Sequence, residues 1–186
     1  SNMSQLFAKK SVQQLLKESE NSGEDSLKRT LSSLALISLG IGVVIGAGIF
    51  VRTAAAAAQN AGPSVTLGFV VAGIGCALAG LCYAELSSSI PISGSAYTYT
   101  YATMGEFLAW IIGWDLVLEY AVGAATVGIA WSEYLNDFLT QILGVAPIPY
   151  QWCHSPFQVS VDGVQGIVNL PALGIVTAVS FLLIKG

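Results

Sequence analysis

Four long apolar runs alternate with shorter polar segments along the 186-residue chain. The runs cover residues 31–58, 65–90, 96–143 and 168–186. An α-helix rises about 1.5 Å per residue, so about 20 apolar residues cross a hydrocarbon core of about 30 Å. The pattern therefore predicts an all-α integral membrane protein in which residues 31–186 form four membrane helices.

Turn-forming residues separate the apolar runs. Residues 59–63 (QNAGP) follow the first run, Pro91 closes the second, and residues 144–168 contain three prolines. The third run is too long for one straight crossing, so we expect it to tilt, to bend, or to begin in the cytoplasm.

Residues 1–30 form a polar N-terminal segment, in which residues 1–2 resemble a cloning scar. Basic charge beside a first membrane helix favours a cytoplasmic N-terminus. Residues 4–20 mix apolar side chains with lysines, which predicts either an amphipathic helix on the inner membrane surface or a partly ordered tail. The basic residues of the segment are Lys9, Lys10, Lys17, Lys28 and Arg29.

Composition supports a lipid environment and excludes several kinds of chemistry. The chain is 54% hydrophobic and 10% charged, whereas soluble domains carry about 25% charged residues. Three scattered cysteines and one histidine form neither a disulfide framework nor a metal site. With no catalytic triad and no nucleotide loop, we expect no enzymatic activity, no cofactor and no nucleic-acid partner.

Glycines interrupt the first membrane run near its middle, where residues 40–50 read GIGVVIGAGIF. A glycine costs a helix about 1 kcal/mol relative to alanine, so the helix can unwind near Gly46 and Gly48. A broken membrane helix exposes N–H groups that suit a carboxylate and C=O groups that suit an ammonium group. The spacing of Gly42 and Gly46 fits ordinary close helix packing equally well.

Two acidic residues, Asp115 and Glu119, lie one helical turn apart within the third run. If the helix enters the membrane near Glu106, Glu119 lies about 20 Å further along its axis. An unpaired charge at that depth costs at least about 2.5–3.5 kcal/mol, which makes Glu119 a candidate functional residue. Alternatively, both acids lie near an interface and are solvated. Arg52 either lines an outer vestibule or extends to the interface.

Seven short motifs follow one another in a characteristic order. They are the stretch 36–50 that ends in GAGIF, NAGP at 60–63, LCYAE at 81–85, PISGSAYTYTY at 91–101, GE at 105–106, GWD at 113–115 and LEY at 118–120. Together they resemble the cationic amino acid transporter family of the amino acid–polyamine–organocation superfamily. The resemblance extends from about Leu6 to Gly186.

The resemblance implies an inverted-repeat transporter fold with about five helices per repeat and a discontinuous first helix. This chain would then supply helices one to four, and we expect it to be the N-terminal part of a longer protein. The substrate would bind at the unwound part of the first helix. The implied contacts are the amides of Gly46, Ala47 and Gly48, the carbonyls of Val44 and Ile45, and the carboxylate of Glu119.

The expected function is secondary active transport of amino acids across a bacterial plasma membrane, coupled to protons and driven by alternating access. The partners would be an amino acid, a proton and membrane lipid. The proton-linked lysine that the family carries on helix five has no counterpart in this chain. The alternative is a four-helix membrane scaffold or assembly subunit that transports nothing.

Overall fold

The computed structural model describes residues 6–20, 30–46 and 48–185. Within these ranges the β pairing consists of two isolated bridges, between Cys153 and Asn169 and between Val159 and Gln165. The prediction of an all-α chain is confirmed for the described residues. The helices are α1 (Val12–Glu20), α2 (Ser33–Val44), α3 (Thr53–Ala56), α4 (Val65–Ser89), α5 (Ser95–Thr103), α6 (Glu106–Asp137) and α7 (Leu170–Lys185).

Shorter helical turns extend some of these helices. Gly48–Arg52, Ala57–Ala61 and Phe138–Ile142 are π-helical, and Gly62–Ser64 and Tyr150–Trp152 are 3₁₀-helical. Thr53–Ser89 and Glu106–Ile142 are each 37 residues long and apolar enough to cross a membrane, whereas α2 and α7 are shorter apolar helices.

The chain forms two compact units. The first contains Ser1–Val44 and Thr53–Leu118, and the second contains Ile45–Arg52 and Glu119–Gly186. The first unit therefore holds the N-terminal segment with α2 to α5. The second unit holds the chain that follows α2, the C-terminal part of α6, and α7.

The helix predicted over residues 31–58 is interrupted where the glycine pattern predicts a break. Regular helix ends at Val44, the backbone of Ile45 and Gly46 is not helical, and helical structure resumes at Gly48. Ala47 lies outside the described residues. Beyond the break, π-helical structure passes the predicted end at residue 58 and runs to Ala61, where Gly62, whose φ of +58° favours glycine, begins the 3₁₀ turn before α4.

The single helix predicted over residues 96–143 is two helices in the structure. Gly105 lies between the end of α5 at Thr103 and the start of α6 at Glu106, with a φ of +102°. An α-helix cannot continue through that conformation, which side chains with a Cβ rarely adopt. The predictions for residues 65–90 and 168–186 correspond to α4 and α7.

The N-terminal segment packs against the junction of α5 and α6 in the first unit. The amide of Glu106 donates a 3.0 Å hydrogen bond to the carbonyl of Ala8. Gly105 lies so close to Phe7 that a Cβ there would be 3.0 Å from the Phe7 carbonyl oxygen. The glycine therefore serves both the turn and the contact with the N-terminal segment.

Polar contacts join helix α1 to the residues directly before it in the N-terminal segment. Ser11 and Gln14 form a reciprocal capping box, in which each backbone amide donates to the other side chain at 3.1–3.2 Å. The ammonium group of Lys10 lies 2.7 Å from a carboxylate oxygen of Glu18. This hydrogen bond raises the pKa of Lys10. Because the pKa of Lys10 is raised, the stability that its ion pair with Glu18 contributes is present at neutral pH and is lost only as the pH rises above that pKa.

Side-chain hydrogen bonds order the connection between α6 and α7 in the second unit. Asn136 on α6 accepts from the amide of Ile148 at 3.0 Å and donates to the sulfur of Cys153 at 3.2 Å. Asn169 caps α7 by accepting from the amide of Ala172 at 3.1 Å. These hydrogen bonds therefore order the polar segment predicted over residues 144–168.

Helices α6 and α7 approach each other closely at Gly128. A Cβ at this position would lie 3.0 Å from Cγ2 of Val176 and 3.5 Å from the carbonyl oxygen of Ala172. Small residues let neighbouring membrane helices approach closely, and at Gly128 the neighbour of α6 is α7.

Few hydrophobic side chains are buried among the described residues. Soluble monomers rarely expose apolar patches larger than a few hundred Å². Large apolar side chains along α2, α4 and α6 are nevertheless exposed, so these faces require lipid or further protein around them. The buried ones are Leu15, Ile90, Ala109, Ala130, Cys153 and Ala172.

We expect Gly105→Ala to release the N-terminal segment. A Cβ at positive φ costs about 1–2 kcal/mol, and this one would also displace Phe7. Hydrogen exchange of the Glu106 amide in the full-length protein should therefore accelerate about tenfold. The amide of Ile167, which donates to Gln151 at 2.8 Å in the second unit, is the internal control and should stay protected. Unchanged exchange at Glu106 would contradict the packing role of Gly105.

We expect Gly166→Asn to destabilise the connection between α6 and α7. A Cβ on this buried glycine would lie 2.6 Å from the His154 carbonyl oxygen and closer still to that of Ser155. The cost should be about 2–4 kcal/mol, measured as a lower thermal midpoint in detergent. Gly163→Asn is the matched control, because Gly163 has open space around it and asparagine tolerates its φ of +81°. Equal midpoints for the two variants would contradict the prediction.

Candidate functional site

The break after α2 separates the carbonyl groups at the end of that helix from the amide groups at the start of the next helical segment by only a few residues of chain. The last four carbonyls of an α-helix have no partner within the helix and carry the negative end of its dipole. In α2 these carbonyls end at Val44. A Cβ at Gly46 or Gly48 would meet no atom within 4 Å, so the described residues leave space beside this backbone.

The predicted site residues are distributed over both units. Val44 ends the first-unit helix α2, whereas Ile45, Gly46 and Gly48 belong to the second unit. Ala47 lies outside the described residues. The predicted discontinuity is present in the backbone, and the predicted contacts to a substrate carboxylate and amino group stay predictions.

Glu119 lies on α6 in the second unit, with an exposed side chain. Its carboxylate makes no hydrogen bond or ion pair with the described part of the chain. No side-chain interaction among those residues therefore joins Glu119 to the glycine break. Asp115, one turn earlier on the same helix, is also exposed.

The second unit contains an ion pair that sequence patterns do not predict. Nη2 of Arg52 lies 3.8 Å from Oε1 of Glu133, and the two side chains are 54% and 51% exposed. A pair this exposed contributes at most about 1 kcal/mol to stability. Of the two interpretations left open for Arg52, a vestibule or the interface, this contact favours a protein environment with a carboxylate partner.

A cavity of about 370 Å³ lies beside this ion pair, wholly within the second unit. Most of its lining residues are of polar type, and they include groups of both charges. One wall comes from α6 and the other from the connection to α7. The lining residues are Arg52, Ile129, Ser132, Glu133, Asn136, Cys153, His154, Ser155, Gln158 and Asn169. We call it the outer cavity, because a cytoplasmic N-terminus would place it on the outer side of the membrane.

Cys153 and His154 have structural contacts in the wall of this cavity. Cys153 is buried and accepts the hydrogen bond from Asn136. The His154 ring stacks on Tyr150 with centroids 3.7 Å apart, and its Nδ1 lies 3.0 Å from the Tyr150 carbonyl oxygen. Across the described ranges, no three His, Cys, Asp or Glu side chains gather as a metal site would require.

Comparison with known proteins connects these features to a family. The amino acid permease family model matches residues 31–184. The chain is 48% identical over 181 residues to the branched-chain amino acid permease BcaP of Bacillus subtilis, covering 97% of the chain and 37% of that relative. It is 46% identical over 184 residues to the methylthioribose transporter of the same organism, covering 99% and 38%.

A mammalian relative shows the same match. Cationic amino acid transporter 4 of Mus musculus is 45% identical over 139 residues, which cover 70% of the chain and 22% of the relative. The chain thus spans less than two fifths of the length of each of these three relatives. The resemblance drawn from the short motifs is confirmed by these matches. The family model covers most of the chain, and the two Bacillus relatives align along nearly all of it, so the chain belongs to the amino acid permease family of membrane proteins.

Proposed function

We propose that the protein containing this chain is a secondary transporter of amino acids, with its substrate bound at the break in the first membrane helix. The observation that carries the proposal is the end of α2 at Val44 and the return of helix at Gly48, within the stretch that matches the amino acid permease family. Relatives named as a branched-chain amino acid permease and as cationic amino acid transporters support the substrate class.

The chemistry of the break suits a zwitterion. The carbonyls of Val44 and Ile45, at the negative end of α2, would accept hydrogen bonds from the substrate ammonium group. The amides of Gly46, Ala47 and Gly48 would donate to the substrate carboxylate at the positive end of the helical segment that begins at Gly48. An α-amino acid carries both groups on one carbon atom, so a single short break can hold both ends.

Glu119 would face the substrate in this arrangement. It lies in the 37-residue apolar span Glu106–Ile142, about 20 Å along α6 from its first residue. A carboxylate at that depth needs a cation, water or a hydrogen-bond donor nearby to offset the loss of hydration. A substrate ammonium group or a transported proton would supply that partner, and this links Glu119 to selectivity or to proton coupling.

The proposed orientation follows from the basic N-terminal segment. The protein would lie in the plasma membrane with its N-terminus, α1 and the junction of α5 and α6 in the cytoplasm. The connection between α6 and α7 would then face the outside. Alternating access would expose the break first to one side and then to the other, driven by an inward proton gradient.

We expect the full-length protein in liposomes to take up radiolabelled amino acids saturably under an inward proton gradient. Gly48→Leu should reduce that uptake at least about tenfold, because the added side chain fills the space beside the break and favours regular helix. The matched control is Gly40→Leu, in the regular part of α2, which should retain uptake.

Wild-type uptake by Gly48→Leu would contradict the proposed site but leave transport intact. A folded wild-type protein that takes up no amino acid in the panel would instead favour a membrane scaffold without transport activity.

We expect Glu119→Gln to lower the uptake of lysine relative to leucine. The substitution removes a negative charge but keeps the size of the side chain. Loss of the charge interaction with a cationic substrate should change the ratio of the two kcat/KM values by about tenfold, or about 1.4 kcal/mol. Glu106→Gln, at the first residue of α6, is the matched control and should leave the ratio unchanged. An unchanged ratio in Glu119→Gln would assign Glu119 a structural role.

A further inference from the structure

We propose that the outer cavity is a second binding site for amino acids, in which Arg52 holds the substrate carboxylate and Glu133 holds the substrate ammonium group. The inference rests on the proposed function for its substrate class, since a transporter of amino acids must admit them from the outside. It adds a site that is distinct from the break after α2 and is built from different residues.

The two charged groups that line this cavity are close to each other but are not in direct hydrogen-bond contact. Charge-assisted hydrogen bonds between a guanidinium and a carboxylate are about 2.7–2.9 Å long, whereas Arg52 and Glu133 are 3.8 Å apart. Neither side chain makes a hydrogen bond with another group in the described part of the chain. Their donors and acceptors are therefore available to a ligand that reaches both of them.

The two charges match the two ends of an amino acid. A guanidinium presents several N–H donors in a planar fork that fits a carboxylate in bidentate fashion. The carboxylate of Glu133 accepts hydrogen bonds and suits an ammonium group. A ligand that carries both groups on one carbon atom can insert between Arg52 and Glu133 and compensate both charges at once. An amine or a carboxylic acid alone would leave one of them uncompensated.

The size and walls of the cavity suit a small ligand. Its volume of about 370 Å³ lies near the lower end of the range for small-molecule sites, about 300–1,000 Å³. Asn136 is fixed at both ends by its bonds to Ile148 and Cys153, and Ser132 is only 1% exposed. Ile129 adds an apolar contact for a substrate side chain. Fixed walls of this kind reduce the entropy lost on binding.

The position of Arg52 connects the outer cavity to the proposed substrate site. Arg52 ends the π-helical turn that begins at Gly48. Only four residues separate Arg52 from Gly48, so the two sites are roughly one turn apart along the chain. An amino acid held in the outer cavity would therefore lie one step before the break on its way inward.

The test is equilibrium binding of radiolabelled leucine and lysine to the purified full-length protein in detergent. The wild type should bind about two equivalents of its preferred probe, and Gly48→Leu should retain about one. Arg52→Gln or Glu133→Gln, combined with Gly48→Leu, should remove the remaining equivalent. Asp162→Asn is the matched control, because this exposed loop carboxylate does not line the cavity. Combined with Gly48→Leu, it should leave the remaining equivalent in place.

Competition experiments separate ligand recognition from a purely structural ion pair. In Gly48→Leu, unlabelled leucine should displace the probe at least about tenfold better than isoamylamine, which lacks the carboxylate. Arg52→Lys keeps the positive charge but loses the fork, so this variant should bind more weakly and discriminate less. A folded Arg52→Gln variant that binds the remaining equivalent as tightly as its parent would overturn the proposal.

Other outcomes distinguish the outer cavity from the proposed function. One equivalent in the wild type and none in Gly48→Leu, with uptake intact, would overturn the outer site and leave transport standing. Two equivalents without uptake would support the outer site while transport fails. Absence of both binding and uptake would overturn both proposals.

Discussion

Backbone hydrogen bonding in a medium without water is the constraint on which the other features depend. Every N–H and C=O group inside a hydrocarbon core needs a partner within the protein, so the chain can cross only as helix. That requirement explains the long uninterrupted helices α4 and α6 and the exposed apolar side chains along them. It also explains why an interruption such as the one after Val44 stands out, since its polar groups must meet protein, water or a ligand.

Polar side chains concentrate where the chain leaves its apolar stretches. The N-terminal segment is attached to the start of α6 through the bond between Ala8 and Glu106. The connection to α7 is attached through Asn136 and ends on the cap that Asn169 provides. Each attachment uses a few directed hydrogen bonds rather than a large apolar core, which suits a protein whose apolar faces are reserved for lipid and for further helices.

Local features were predictable from the sequence, and non-local ones were not. The bounds of α4 differ from the predicted 65–90 by a single residue, because Pro63 and Pro91 punctuate the run on both sides. The break near Gly46 follows from helix propensity. The third run was expected to tilt, to bend, or to begin in the cytoplasm, but its division at Gly105 was not predicted, and the contact of Gly105 with Phe7 joins residues almost a hundred positions apart.

The candidate site shows the same limit. Glycine spacing allowed either a discontinuity of the first helix or ordinary close packing, and it does not show what the backbone groups at the break contact. Glu119 remains a prediction drawn from depth and charge. The proximity of Arg52 to Glu133 depends on how the turn after the break approaches α6, and periodicity carries no information about that. The sequence offered one signal for this ion pair, namely that Arg52 and Glu133 carry opposite charges in separate apolar runs.

Asn136 has a mechanical consequence that goes beyond its hydrogen bonds. Its side-chain amide holds the connection at two points. The oxygen accepts from Ile148, twelve residues further along the chain, and the nitrogen donates to Cys153, seventeen residues further along. The same connection supplies the far wall of the outer cavity and the cap of α7. A tilt of the C-terminal end of α6 would therefore carry wall and cap with it. The end of α6, the cavity wall and the cap of α7 would then move together, so the cavity would change shape whenever α6 changes its orientation.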